Sequence, residues 1–188
     1  MQPAISYFTR EDYLQLEEHT DSKHEFYQGE VFAMAGGSFH HATLKVNLMV
    51  MLANQLRGKK PCRPMNSDMR IHTPSGLDTY PDISIYCNQP ELTDNQRTLL
   101  NPIVIIEVLS PTTRNYDRSE KFWHYRTIPT LQDYLLVDSE KVFVEHFHQT
   151  GAGWLLHDYT QRDEVVMLPS LEETLALSAI YDTIDFNV

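Results

Sequence analysis

The sequence has little of what marks a specialised class of protein. Two cysteines in 188 residues cannot build the disulfide framework of a small secreted domain. Cys62 and Cys87 lie far apart and make no Cys-x-x-Cys pair, so they read as ordinary buried or half-buried thiols in a reducing compartment. Seven glycines and ten prolines exclude collagen-like and low-complexity chains, and no internal repeat is visible. No stretch approaches the roughly 18 apolar residues of a membrane span. Met1 leads into a polar, aromatic and acidic opening without the basic start and apolar run of a signal peptide. The expectation is a soluble, cytoplasmic protein with no membrane partner, folded as one domain over residues 1–188.

Positive charge is also scarce: 15 Lys and Arg against 26 Asp and Glu give a net charge of −11. That argues against non-specific coating of nucleic acid, which draws its affinity from basic side chains. The imbalance is uneven. Residues 131–188 carry eleven acids and two bases, a balance of −9, whereas residues 57–72 carry five bases and one acid, a balance of +4. A phosphate-cutting site needs local bases beside an acidic metal site, so the acidic total weakens that function without excluding it. Arg57, Lys59, Lys60 and Arg63 read first as a solvated loop.

What is present is a hydrophobic content of 41% in clear periodic patterns. Thr9 and Asp12 form a helix-start signature for a helix over 10–18. Glu25-Phe26-Tyr27 and Val31-Phe32-Ala33-Met34 read as a hairpin ended by Gly36-Gly37. Ser38 caps a long helix with Leu44, Leu48, Met51, Leu52 and Leu56 at helical spacing up to Gly58. Strands follow over 65–72, 79–86 and 103–109. A helix runs over 114–127, then come strands over 134–137, 141–148 and 154–159, and a last turn over 178–181. The pattern predicts an α/β class, specifically an α+β mixed sheet flanked by helices.

Glu107 breaks the pattern of Ile103-Val104-Ile105-Ile106-Glu107-Val108-Leu109. A carboxylate in a strand buried on both faces costs several kcal/mol unless it is neutralised, paired or bound to a cation. A strand end at solvent, or a salt bridge to a residue such as Arg70, would also account for it. In Tyr80-Pro81-Asp82-Ile83-Ser84-Ile85-Tyr86, alternation places Asp82 and Ser84 on one face. Two carboxylates from adjacent strands suit a hard cation such as Mg²⁺, and the Val108 carbonyl offers a third oxygen. His146 and His148 alternate onto one strand face, as zinc ligands sometimes do and solvent-facing pairs more often do. His40-His41 reads as capping or packing. Gly36-Gly37 lacks the Lys-Ser/Thr of a phosphate loop, and Ser110 lacks a nucleophile elbow.

Pro81-Asp82, Glu107-Val108-Leu109-Ser110-Pro111, Tyr116-Asp117-Arg118 with Glu120-Lys121 and Tyr125, and Tyr134-Leu135-Leu136-Val137-Asp138 together resemble the Uma-type restriction-endonuclease-like family. That family is a branch of the PD-(D/E)xK nuclease superfamily. The resemblance also takes in Glu25, Gly29-Glu30 and His41. It implies a restriction-endonuclease-like core, a Mg²⁺ or Mn²⁺ requirement and hydrolysis of phosphodiester bonds of DNA. The superfamily's lysine two residues after the Glu is absent, since Leu109 stands there, and the family pattern moves it to Lys121. A surface pair of Lys121 with Asp117 is the competing account.

The implied catalytic set is Glu25, Asp82, Glu107 and Lys121, with metal ligands Asp82, Glu107 and the Val108 carbonyl. Arg114, Arg118 and His41 are the expected substrate contacts, and Tyr125 either holds Lys121 or belongs to the core. Cutting both strands of a duplex would suit a homodimer. Two other functions stay open: a catalytically silent nuclease-fold binding or assembly module, and a metal-dependent hydrolase of small phosphate esters.

Overall fold

The computed structural model describes residues 7–34, 36–58 and 61–186; Lys59 and Lys60 of the basic stretch lie outside them. α1 (Arg10–His19) opens on a reciprocal cap. The Thr9 hydroxyl accepts the Asp12 N–H at 3.1 Å, and the Asp12 carboxylate accepts the Thr9 N–H at 2.9 Å, satisfying helix-end donors that would otherwise be orphaned. β1 (His24–Tyr27) and β2 (Glu30–Ala33) form the expected hairpin. α2 (Phe39–Leu56) starts where the Ser38 hydroxyl accepts the His41 N–H at 3.2 Å. Gly58, at φ +73°, follows its end, a conformation that favours glycine.

The middle of the chain departs from expectation. The strand foreseen over 65–72 is two, β3 (Cys62–Asn66) and β4 (Arg70–His72), because Asn66 turns the chain. Its side-chain oxygen accepts the Asp68 N–H and its carbonyl accepts the Met69 N–H, as Asn does at turns. The strand foreseen over 79–86 likewise splits into β5 (Asp78–Thr79) and β6 (Ile83–Cys87). Pro81, with no N–H to give to a ladder, sits in the break. The two halves of each pair belong to different sheets.

β7 (Leu92–Thr93) and β8 (Thr98–Leu99) precede β9 (Val104–Leu109), every residue of which is buried. The helix foreseen over 114–127 is α3 (Arg114–Tyr116), a π-helical turn (Asp117–Lys121) and α4 (Phe122–Tyr125) in succession. β10 (Asp133–Asp138), β11 (Val144–Thr150), β12 (Gly153–Tyr159), β13 (Val165–Leu168), β14 (Glu173–Ala176) and α5 (Leu177–Ile180) complete the order.

The main sheet runs β12-β11-β10-β9-β6-β3, with β9 and β10 parallel and the other neighbours antiparallel. A second six-stranded sheet runs β2-β1-β5-β4-β8-β7. The architecture is the mixed α/β fold foreseen. Alternation along β9 and β10 divides the interior: Val104, Ile106, Val108, Leu135 and Val137 pack with the leucines of α2. Ile105, Leu109, Tyr134 and Leu136 pack with Tyr125, Ile128 and Leu131. No helix among the described residues is long and apolar enough to cross a membrane.

The cysteines correct the sequence reading. Cys62 of β3 and Cys87 of β6 face each other in register and form a disulfide. Antiparallel pairing brings together residues that are 25 apart in the chain, and the cysteines no longer argue for a reducing compartment.

Leu48 is fully buried between α2 and the sheet. Leu48→Ala is expected to lower the unfolding free energy by about 2–5 kcal/mol, read from the urea midpoint. A loss below about 1 kcal/mol would show that this interface is not the core.

Candidate active site

The break at Pro81 places Asp82 immediately before β6, and the β6–β9 register continues to set it beside Glu107. The two residues clasp each other through the backbone. The Asp82 N–H donates to Glu107 Oε2 at 3.1 Å, and the Val108 N–H donates to Asp82 Oδ2 at 2.8 Å. The pairing foreseen from sequence is therefore present, with Asp82 at the strand's start and not within it.

Lys121 reaches this pair. Its ammonium lies 3.0 Å from Glu107 Oε1, 3.0 Å from Glu25 Oε1 and 3.6 Å from Asp117 Oδ1. The contact with Asp117 exists, but it is buried and forms one arm of a larger cluster, not a surface pair. Lys121 closes the π-helical turn, a helix defect common at functional sites. Tyr125 donates its hydroxyl to Glu107 Oε1 at 2.8 Å, so it holds the glutamate and not the lysine, while its ring is in the core. Glu25, on β1, also accepts from the Thr79 hydroxyl.

Asp82 has two further partners on α2. Lys45 Nζ lies 2.8 Å from Oδ1, and His41 Nε2 lies 3.3 Å from Oδ2. His41 was expected here; Lys45 was not. Its signal was its place one turn after His41, on the same helix face. Glu25, His41, Lys45, Asp82, Glu107 and Lys121 share the wall of one open cleft of about 860 Å³.

Arg114 and Arg118 stand elsewhere. Arg114 pairs with Glu140 at 2.5 Å and Arg118 with Glu145 at 2.5 Å, and neither lines the cleft. Arg70 does not meet Glu107; its guanidinium lies 3.7 Å from Asp78 and 3.4 Å from Asp94.

Four carboxyls thus share two ammonium groups in a buried setting. Burial pushes the Glu107 carboxyl up to about 8; Lys121 pulls against that, while Asp82 and Asp117 add to it. Burial likewise raises Asp117. Burial also pushes Asp82 upward, but His41 and Lys45 outweigh it and hold its carboxyl at about 2. Glu25 falls below the ordinary range because Lys121 and Thr79 outweigh its burial. Burial disfavours the Lys121 ammonium, yet the surrounding carboxyls raise it well above the usual lysine value, so it stays charged.

A raised carboxyl pKa gives stability that is present below the unfolded value near 4.5 and lost as pH rises through about 8. Glu25 and Asp82, with lowered values, titrate below that window and contribute a constant within it. In chelator, Tm is expected to fall between about pH 5 and pH 8, and Glu107→Gln to flatten the fall. A slope unchanged by Glu107→Gln would show that Glu107 is ionised throughout.

The Uma2 family, whose description reads "Putative restriction endonuclease", matches residues 10–179. An uncharacterized Synechocystis sp. protein, slr1290, is 38% identical over 178 residues, covering 94% of this chain and 92% of its own. A second, sll1609, is 41% identical over 151 residues, covering 79% of this chain and 85% of its own. A crystal structure from Anabaena variabilis, described as "a putative nuclease belonging to DUF820", superposes with a TM-score of 0.77 at 18% identity. That superposition covers 93% of this chain and 97% of the other, and at such identity it speaks for the fold alone. The fold is therefore restriction-endonuclease-like, and the chain belongs to the Uma2 family.

Proposed function

We propose that the protein is a Mg²⁺- or Mn²⁺-dependent endonuclease that hydrolyses phosphodiester bonds of DNA. The observation that carries this reading is the convergence of carboxyls in the cleft: Glu107 lies against Asp82 and shares the Lys121 ammonium, 3.0 Å away, with Glu25 and Asp117, and burial pushes it up to about 8. A further cation beside such a group would favour its ionised form. The donors are oxygens, the set that hard cations take. Asp82, Glu107 and the Val108 carbonyl would hold the metal. When bound, it supplies Lewis acidity and lowers the pKa of a water.

The rest of the chemistry falls to side chains of the cleft. Lys121, kept protonated by its carboxyl neighbours, serves as a donor that orients the attacking water or offsets charge on the phosphate oxygens, not as a general base. Glu25 holds the same ammonium at 3.0 Å. Tyr125 fixes the Glu107 carboxylate. Lys45 and His41 stand at the Asp82 edge, and we assign them the contacts to the substrate's phosphates. Arg114 and Arg118, engaged by carboxylates outside the cleft, have no part in this reading. The chain's acidity is concentrated beyond residue 131, whereas the cations Lys23, Lys45 and Lys121 line the cleft.

Supercoiled plasmid with Mg²⁺ or Mn²⁺ is expected to be nicked or linearised. Lys121→Met is expected to slow cutting by about 10²–10³-fold, as loss of one charge-stabilising donor does. Equal cleavage by the Asp82→Asn, Glu107→Gln double variant would sink the assignment of this site.

A further inference from the structure

A second cluster of ligating side chains lies on the other face of the main sheet. β10 alternates, so Tyr134 and Leu136 share the Glu107 face while Asp133, Leu135 and Val137 face the α2 side. Asp133, at the β10 end distant from the cleft, is fully buried and sits opposite His148 in the β10–β11 register. His146 follows two residues earlier on the same face of β11. The carboxylate Oδ1 meets His146 Nε2 at 2.7 Å and His148 Nδ1 at 2.8 Å. Oδ2 accepts the hydroxyl of Ser170, from the turn between β13 and β14. These histidines, read from sequence as a pair more often turned to solvent, instead converge on a buried acid.

We propose that Asp133, His146 and His148 form a second divalent-metal site, distinct from the nuclease cleft and selective for a Zn²⁺-class ion. The three ligand atoms lie within 4.8 Å of one another. In a tetrahedral zinc site, with bonds of about 2.0–2.1 Å, ligand atoms stand roughly 3.3 Å apart. The separations of 2.7 and 2.8 Å therefore need to widen by only about half an ångström, with each neutral imidazole carrying its proton on the ring nitrogen that faces away from the ion. Two imidazoles and one carboxylate favour Zn²⁺ over Mg²⁺, the reverse of the all-oxygen cleft. Ser170 supplies the outer hydrogen bond that orients a ligating carboxylate. His148 is 25% exposed, which gives the ion a way in and leaves room for a water as fourth ligand. The ion would cross-link β10 to β11 beneath the Ser170 contact, so its expected effect is on stability.

The full-length protein, stripped with chelator and held in excess Mg²⁺ to saturate the cleft, is titrated with Zn²⁺ and, separately, with Co²⁺. The expected result is one equivalent bound, a Zn²⁺-dependent rise in Tm of several degrees, and intense visible Co²⁺ bands of tetrahedral coordination. His148→Gln, at the rim where folding is least at risk, is expected to weaken Zn²⁺ by about 100-fold, and Ser170→Ala by about tenfold. The Asp82→Asn, Glu107→Gln double variant should bind Zn²⁺ as wild type does, which separates this site from the nuclease reading. Two outcomes would overturn the proposal. One is folded wild type, by circular dichroism, that takes up no Zn²⁺; in that case Asp133, His146 and His148 are a hydrogen-bond network only. The other is Zn²⁺ affinity unaltered in His148→Gln.

Discussion

The candidate site depends on one buried ammonium. Lys121 lies 3.0 Å from a carboxylate of β1 and 3.0 Å from a carboxylate of β9, so a single side chain joins the helical segment to both six-stranded sheets. Neither glutamate tolerates burial alone, because an unpaired carboxylate in an apolar strand is worth several kcal/mol of destabilisation. The ammonium in turn is held charged only by its neighbours. The ordering of the three elements about the cleft and the ionisation of the cleft are therefore one constraint. Removing Lys121 takes from Glu25, Glu107 and Asp117 the one ammonium they share, which is costlier than removing any single carboxyl, since the lysine then keeps two others.

The constraint is deliberately incomplete in charge. Asp82 is engaged by Lys45, His41 and the Val108 N–H, and its carboxyl is held at about 2. Glu107 has Lys121, Tyr125 and the Asp82 N–H, yet it shares that lysine with Glu25 and Asp117. Two neighbouring carboxyls, bound through the Asp82 and Val108 N–H groups, therefore sit far apart in acidity. Such a separation keeps Asp82 ionised and leaves Glu107 the carboxyl whose ionisation an added cation would favour.

How much of this was legible in the sequence follows from the range of each signal. Glu107 stood out because strand burial is a local property of apolar residues, and one charge among them is visible without a structure. The α2 face and the caps at Thr9 and Ser38 were legible for the same reason. The breaks at Asn66 and Pro81 were not, since a pattern of alternation continues across a turn that sends each half to a different sheet. The disulfide was missed because Cys62 and Cys87 meet only through the β3–β6 register. The pairing of Arg114 with Glu140 and of Arg118 with Glu145 is not legible, because those acids come from a hairpin still ahead in the chain. Lys45 escaped because periodicity assigns a helix face but not what that face meets. Lys121 was reached through the family resemblance, not from spacing.

The central strands show why one sheet can carry two unlike clusters without interference. Glu107 pairs in register with Leu136, and Asp133 with Val104, so the two acids are separated along the strands and also by alternation across the sheet. Each meets the donors its own face supplies: Lys121 and Tyr125 from the helical segment on one side, His146, His148 and Ser170 from β11 and the β13–β14 turn on the other. An all-oxygen donor set favours hard cations, and one that includes imidazoles favours softer ones. The two-residue period of a strand thus sorts the chemistry of neighbouring acids by face, and a single register shift, which would exchange the faces, would abolish both environments at once.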